Sequence, residues 1–352
     1  MSVRYRLVQW NAFKVRYDLV VCGGIAAFLG VFVAATAFRA EPSRISGPVL
    51  LIRALGICAY LMLHVVLCIG PLARLDRRFL PLLYNRRHLG VATFLVALAH
   101  GSLAVGFYHG FSDTPALVSL LTSNVNYGSL KAFPFETLGI AALAILFLMA
   151  ATSHDLWLKR LTPSVWKSLH MLVYVAWAAV VMHVALGAIQ SERSTVYSTL
   201  VIVGVAAVGG LHLASGRREA RVEGSARRPS PWIDAGPPDA VEEGRAVVVS
   251  VNGRERVAIF RHGARLSAIS NVCAHQGGPL GEGRVIDGCV TCPWHGYQYR
   301  PSDGCSPAPF TDRVCTYRLQ VRAGRIQLDP APLPPGTPVE PLAMREEEVM
   351  RA

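Results

Sequence analysis

Six stretches of the chain, approximately 19–38, 54–73, 89–110, 137–153, 168–190 and 194–216, contain no Asp, Glu, Lys or Arg. A helix rises about 1.5 Å per residue, so each run is roughly long enough to cross ~30 Å of hydrocarbon. Nothing else in the sequence restricts the fold so strongly. The expectation is an all-α bundle of six transmembrane helices over residues 1–216. The low share of charged residues, 16%, and the 52% of hydrophobic ones agree with a chain solvated largely by lipid. The first run has no small-x-small cleavage site before the next loop, so it is expected to remain as a span.

The connecting segments orient the bundle. Arg4, Arg6, Lys14 and Arg16 precede the first span, Arg74, Arg77, Arg78, Arg86 and Arg87 follow the second, and Lys159, Arg160 and Lys167 follow the fourth. Arg217, Arg218, Arg221, Arg227 and Arg228 come after the sixth, whereas the opposite side has only Arg39, Arg44, Arg53, Lys131 and Arg193. Basic residues stay in the cytoplasm, which puts both termini there. The net charge of +12 is therefore topological, and nucleic acid is not an expected partner.

Beyond the last span the pattern changes. Residues 217–239, rich in Arg, Gly, Pro and Ser, read as a linker. Residues 240–329 form the next unit, where "AVVVSVNGRERVAIF", "RLSAIS" and "VCTYRLQVRAGRIQL" are short β-branched runs broken by turn residues, as in hairpins. The Pro-rich and then acidic segment 330–352 reads as a loosely ordered tail. No internal repeat is apparent.

Within the β-type region, Cys273 and His275 share one Gly/Pro-rich loop and Cys292 and His295 another. Thiolate is a soft anionic ligand and imidazole a borderline one, so two of each suit either zinc or an iron–sulfur centre. Neither pair stands on a helix of the zinc-finger kind. "CAH" followed by Gly277, Gly278 and Pro279, together with "CPWHG", resembles the Rieske [2Fe–2S] domain. The resemblance implies a small all-β fold in which Cys273 and Cys292 hold one iron and His275 and His295 the other. High-potential members carry a disulfide between the two loops. Gly278 and Trp294 occupy those positions here, which implies the disulfide-free ferredoxin-type and oxygenase-type modules and a low potential. Cys289, Cys305 and Cys315 are expected to be structural thiols.

Histidine is the one titratable residue repeatedly admitted to the spans, as His64, His100, His109, His170, His183 and His212. Ionisable groups inside a membrane are costly and usually functional. His100 lies 13 residues past Arg87 and His183 lies 16 past Lys167, roughly 20 and 24 Å deep along helices of the same direction. Two facing imidazoles at one depth in an apolar slot suit haem b. His170, close to the inner face, is the candidate for a second haem, with His88 or His64 as partner. In an ideal helix His170 and His183 point some ~140° apart, so a kink or bulge is needed for both to face one partner helix.

"PLAR" at 71–74, "NRRHLG" leading to "ALAH" at 85–100, "TLGI" at 137–140 and "WKSLHMLVYVAWAAVVMH" at 166–183 resemble the ferric-reductase-like transmembrane family. The bacterial branch containing the haem-binding membrane subunits of periplasmic methionine sulfoxide reductase systems is the nearest. That resemblance assigns His100, His170 and His183 as haem ligands, gives no support to His64 or His88, and places the protein in a bacterial inner membrane. The chain has no dinucleotide fingerprint and so no nicotinamide or flavin site of its own. The expected function is electron transfer from a cytoplasmic donor protein through the cluster and haem b. The outer-face acceptor would be a periplasmic reductase or ferric iron. A quinone-reactive oxidoreductase fed by quinol, and a membrane-anchored redox sensor, stay open as alternatives.

Overall fold

The computed structural model describes residues 12–39, 45–83, 85–111, 113–153, 157, 161, 163–192, 195–225, 232–251, 255–275, 277–294, 296–308 and 310–344. Six helices in it are long and apolar enough to span a membrane: Val15–Phe38, Gly47–Leu75, Arg86–His109, Phe135–Thr152, Ser168–Glu192 and Thr195–Arg221. They fall within α1 (Ala12–Arg39), α2 (Gly47–Leu75), α4 (Arg86–His109), α6 (Phe135–Thr152), the consecutive α7 (Pro163–Met171), α8 (Val173–Leu186) and α9 (Ala188–Glu192), and α10 (Thr195–Ser225). Two short helices, α3 (Leu80–Leu83) and α5 (Ala116–Thr122), lie in connections.

The second span starts before the expected residue 54 and takes in Arg53. It tolerates that charge because Arg53 pairs with Glu192 at 2.8 Å. The fifth span is broken at Leu172, where the Leu172 amide reaches back three residues to the Leu169 carbonyl and α8 begins at the next residue. This irregularity lies between His170 and His183, where the helical arithmetic required one. Where helices do meet, Leu63, Leu67, Phe94, Ala142, Leu146, Ala176 and Val208 are buried together. Residues such as Leu19, Leu95, Val175 and Ile202 face outward on the spans, as a lipid-solvated surface requires.

The C-terminal unit is antiparallel β. Strands β2 (Ala246–Val251), β3 (Glu255–His262), β4 (Arg265–Ser270) and β11 (Leu342–Ala343) form one sheet in the order β11-β4-β3-β2, with β8 (Thr316–Tyr317) also on β4. A second sheet orders β1 (Ile233–Gly236), β10 (Arg325–Leu328) and β9 (Leu319–Arg322), and a third orders β5 (Arg284–Ile286), β6 (Cys289–Thr291) and β7 (Gln298–Tyr299). Side chains alternate faces along a strand. On β3, Val257 and Ile259 enter one buried cluster and Ala258 and Phe260 the other, so both faces are covered and the strand reads as a continuous apolar run. The β2–β3 and β9–β10 hairpins are those expected from their runs.

Two boundaries differ from expectation. The 217–239 stretch is not all linker: α10 continues to Ser225 and β1 begins at Ile233. The 330–352 stretch is not loose over its described part. Leu342 and Ala343 pair with Leu266 and Arg265 on β4, and Met344 is buried. The amides of Val339 and Met344 donate to the Ser302 and Ala264 carbonyls, both at 2.8 Å. Proline-rich composition weakens local structure, but an open sheet edge supplied the partners that the segment lacks by itself. The acidic end, 345–352, lies outside the described residues.

Candidate functional site

Two loops carry the Cys and His residues of the β unit, one after β4 and one between β6 and β7, and they share one backbone construction. In the first, the Cys273 amide donates to the Gly278 carbonyl (2.9 Å), and Gly277 donates back to the Cys273 carbonyl (2.7 Å). In the second, the Cys292 amide donates to Tyr297 (2.7 Å) and Gly296 donates to Cys292 (2.9 Å). Gly277 and Gly296 have φ of +70° and +71°, a left-handed turn that only glycine adopts without strain. Gly278 is needed for closeness: a Cβ there would stand 2.7 Å from Cys292 Sγ and 3.2 Å from the Trp294 ring.

Both sulfurs are buried, Cys273 at 2% and Cys292 at 1% exposure, so neither loop offers its thiol to bulk water. His275 Nδ1 is also buried, and its ring stacks on Tyr297 at 4.5 Å with the planes 7° apart. The Tyr297 hydroxyl donates to Asp312. Tyr299 places its hydroxyl 3.3 Å from Cys273 Sγ, and the same oxygen accepts the His275 amide at 3.3 Å. Burial, then the charge of a Cys273 thiolate beside it, pushes the Tyr299 phenol far above its ordinary pKa, so it remains an O–H donor at neutral pH. Among the described residues, no three Cys, His, Asp or Glu side chains converge as ligands of one ion would. His295 lies outside the described residues. Cys289, Cys305 and Cys315 are free thiols, and burial raises the pKa of Cys289 and Cys315.

In the helical unit, the imidazoles of His100 on α4 and His183 on α8 face each other, with ring centroids 6.4 Å apart and planes at 82°. His100 Nδ1 lies 2.9 Å from the Ile52 carbonyl and His183 Nδ1 lies 2.8 Å from the Phe135 carbonyl. A carbonyl only accepts, so Nδ1 carries the proton in both rings and Nε2 keeps its lone pair for a metal. The spacing fits a metal between them: two metal–nitrogen bonds of about 2 Å, plus roughly 1 Å from each nitrogen to its ring centre, separate the centroids by ~6 Å.

The other span histidines divide by the same criterion. His64 donates through Nδ1 to Tyr60 O (2.8 Å) and accepts at Nε2 from Trp177 (3.0 Å). His212 bonds Val208 O and the Tyr174 hydroxyl in the same manner. Neither is in a state to ligate. His170 donates to Trp166 O at 3.0 Å and stacks on that indole, while its buried Nε2 has no hydrogen-bond partner among the described residues. His88 Nδ1 is paired with Asp18 at 2.9 Å, and His109 Nδ1 is 3.0 Å from Ser119 Oγ. In His100, His183 and His170, the three singled out by the sequence, Nδ1 is the nitrogen bonded to a carbonyl and Nε2 keeps the lone pair. Sequence reasoning missed the polar locks on the others, Trp177 and Tyr174 above all, because each reads as an ordinary apolar-span aromatic.

A bundle of six apolar helices joined to a β unit with twin Cys loops is a membrane electron-transfer protein. Residues 231–318 match the Rieske [2Fe-2S] domain, a family to which the chain belongs, and residues 55–182 match the ferric reductase like transmembrane component. Its Rieske part is 35% identical over 80 residues to the ferredoxin subunit of anthranilate 1,2-dioxygenase from Burkholderia cepacia, covering 22% of this chain and 74% of that one. Its membrane part is 31% identical over 144 residues to the heme-binding subunit MsrQ of protein-methionine-sulfoxide reductase from Herminiimonas arsenicoxydans, covering 40% of this chain and 61% of that one. Among solved structures, the ferredoxin of carbazole 1,9a-dioxygenase from Nocardioides aromaticivorans IC177 is 25% identical, with TM-score 0.27, covering 29% of this chain and 100% of that one.

Proposed function

We propose that this protein conducts electrons across a bacterial inner membrane, from a cytoplasmic donor through the Rieske centre and haem b to an acceptor at the outer face. The observation that carries the reading is the His100–His183 pair, 6.4 Å apart with both Nε2 atoms available. These two residues would be the axial ligands, and Gly56 and Gly139 leave room at the back of each ring, where a Cβ would sit 2.9 Å from Cε1. His170 would serve a second haem nearer the inner face, since its buried Nε2 has no partner among the described residues. In the β unit, Cys273 and Cys292 would hold one iron and His275 and His295 the other.

Haem and cluster, when bound, supply reversible one-electron chemistry. The chain supplies insulation and tuning. Carbonyls of Ile52 and Phe135 fix tautomer and ring position, apolar helices exclude water, and Tyr299 holds a proton toward Cys273. Excess basic charge at the inner loops supports cytoplasmic termini and a cytoplasmic Rieske domain. The acceptor we infer is a periplasmic methionine sulfoxide reductase, after the name of the relatives matched by the membrane part, with ferric iron as the competing substrate.

The test is a redox titration of detergent-purified protein, recording visible absorbance and low-temperature electron paramagnetic resonance together. A b-type haem spectrum plus a Rieske-type signal, both reduced by a soluble donor, is the expected result. Haem reduced by quinol alone, with no soluble donor, would replace the cytoplasmic entry by a quinone-reactive one. Cluster without haem would leave a tethered sensor.

A further inference from the structure

The facing imidazoles are held by one construction used twice. Each Nδ1–H reaches a backbone carbonyl 48 residues earlier in the chain, Ile52 for His100 and Phe135 for His183. Four residues beyond each carbonyl, one helical turn along α2 and α6, stands a glycine preceded by leucine: Leu55-Gly56 and Leu138-Gly139. At Gly56 the three nearest atoms to an added Cβ all belong to His100, at 2.9 Å (Cε1), 3.0 Å (Nδ1) and 3.6 Å (Nε2). At Gly139 all three belong to His183, at 2.9 Å (Cε1), 3.0 Å (Nδ1) and 3.6 Å (Cγ).

Glycine in a span often lets helices approach, and then it meets a neighbour's aliphatic side chain or backbone. Gly101 is of that kind, with Leu143 Cδ2 3.2 Å from its added Cβ. Gly56 and Gly139 meet imidazole instead. Gly204 also borders an imidazole, but there the nearest atom would be Nε2 of His64, at 2.7 Å, the edge that Trp177 already occupies. At Gly56 and Gly139 it is the Nδ1–Cε1 edge that lies close, and the two ring centroids stand 6.4 Å apart.

A hydrogen bond to a carbonyl fixes where Nδ1 sits but leaves the ring free to turn about that bond. The empty space over glycine lets the ring edge lie against the helix, and the two rings come to rest 82° apart. A methyl group at either glycine would force the ring to turn or shift. We propose that Gly56 and Gly139 are paired positioning residues that hold the two axial imidazole planes near perpendicular. The inference rests on the haem reading above. Perpendicular imidazoles act equally on the two iron d orbitals that interact with their π systems. Those orbitals stay nearly degenerate, and the ferric low-spin resonance then has an unusually large gmax. Rotation towards parallel planes splits them and gives an ordinary three-line rhombic spectrum.

The experiment is low-temperature resonance of the oxidised, purified full-length protein, with haem content from the pyridine haemochrome and the Rieske signal of the reduced protein as a folding check. The unsubstituted protein is expected to show the large-gmax signal. Gly56→Ala and Gly139→Ala are each expected to retain haem, lose that feature and gain a rhombic spectrum. Gly90→Ala and Gly106→Ala, on α4 itself but where a Cβ meets nothing within 4 Å, should leave it unchanged. A rhombic spectrum from the unsubstituted protein overturns the proposal, as does an unaltered large gmax in both variants at full haem content. If both variants lose haem, the unsubstituted spectrum decides. Failure of the haem reading looks different: no haem in the unsubstituted protein, or full haem in both His100→Ala and His183→Ala.

Discussion

Trp177 donates its indole N–H to Nε2 of His64 at 3.0 Å. With Nδ1 of the same ring donating to Tyr60, His64 is a fully bonded imidazole in the interior of the bundle. Depth alone admits it as a haem ligand; its hydrogen bonds remove it.

His64→Ala should therefore leave the haem spectrum intact. Trp177→Phe should do the same while stranding a buried nitrogen, at a cost of about 1–3 kcal/mol, read as a lower Tm in detergent. Loss of haem from the His64 variant would restore that residue as a ligand.

His100→Ala and His183→Ala should each abolish the visible bands of the haem they share and spare the cluster signal. Cys292→Ser should do the reverse, because the two ligand sets are built from separate units of the chain. A single substitution that removed both centres from a folded protein would contradict this independence.

Gly278→Ala introduces a methyl group 2.7 Å from Cys292 Sγ. Overpacking of this kind costs typically ~1–3 kcal/mol, and here it separates the two loops that must close together. The Rieske-type resonance should be lost or strongly diminished, with haem content unaltered. Gly278, unlike its neighbour Gly277, is not at positive φ, so the effect is one of contact with the Cys292 sulfur and not of backbone strain.

Tyr299→Phe removes the hydroxyl 3.3 Å from Cys273 Sγ. A donor to a cluster sulfur stabilises the reduced, more negative state, so its loss should lower the midpoint potential. A difference of about 1 kcal/mol between the two redox states is ~40 mV for one electron. Redox titration of the resonance signal measures it, and an unchanged or raised potential would count against the hydrogen bond.

The charge-free runs and the positions of Arg and Lys determined the six spans, because lipid admits few alternatives to a self-satisfied apolar helix. Spacing also marked Cys273–His275 and Cys292–His295 as candidate ligand pairs, since metal ligands must come from side chains of particular chemistry. Depth arithmetic paired His100 with His183, and helical rotation required the break found at Leu172. What the sequence left open was the hydrogen-bond partner that each buried histidine takes. That choice was made by backbone carbonyls at Ile52 and Phe135 and by long-range donors such as Trp177. A carbonyl belongs to every residue and so leaves no mark in the sequence, which is also why the twofold use of one construction escaped notice as a repeat. The order of the Pro-rich segment ending in Ala343 was likewise decided by tertiary structure, because Ser302, Thr316 and the edge of β4, all distant in the chain, offer the hydrogen bonds it lacks locally.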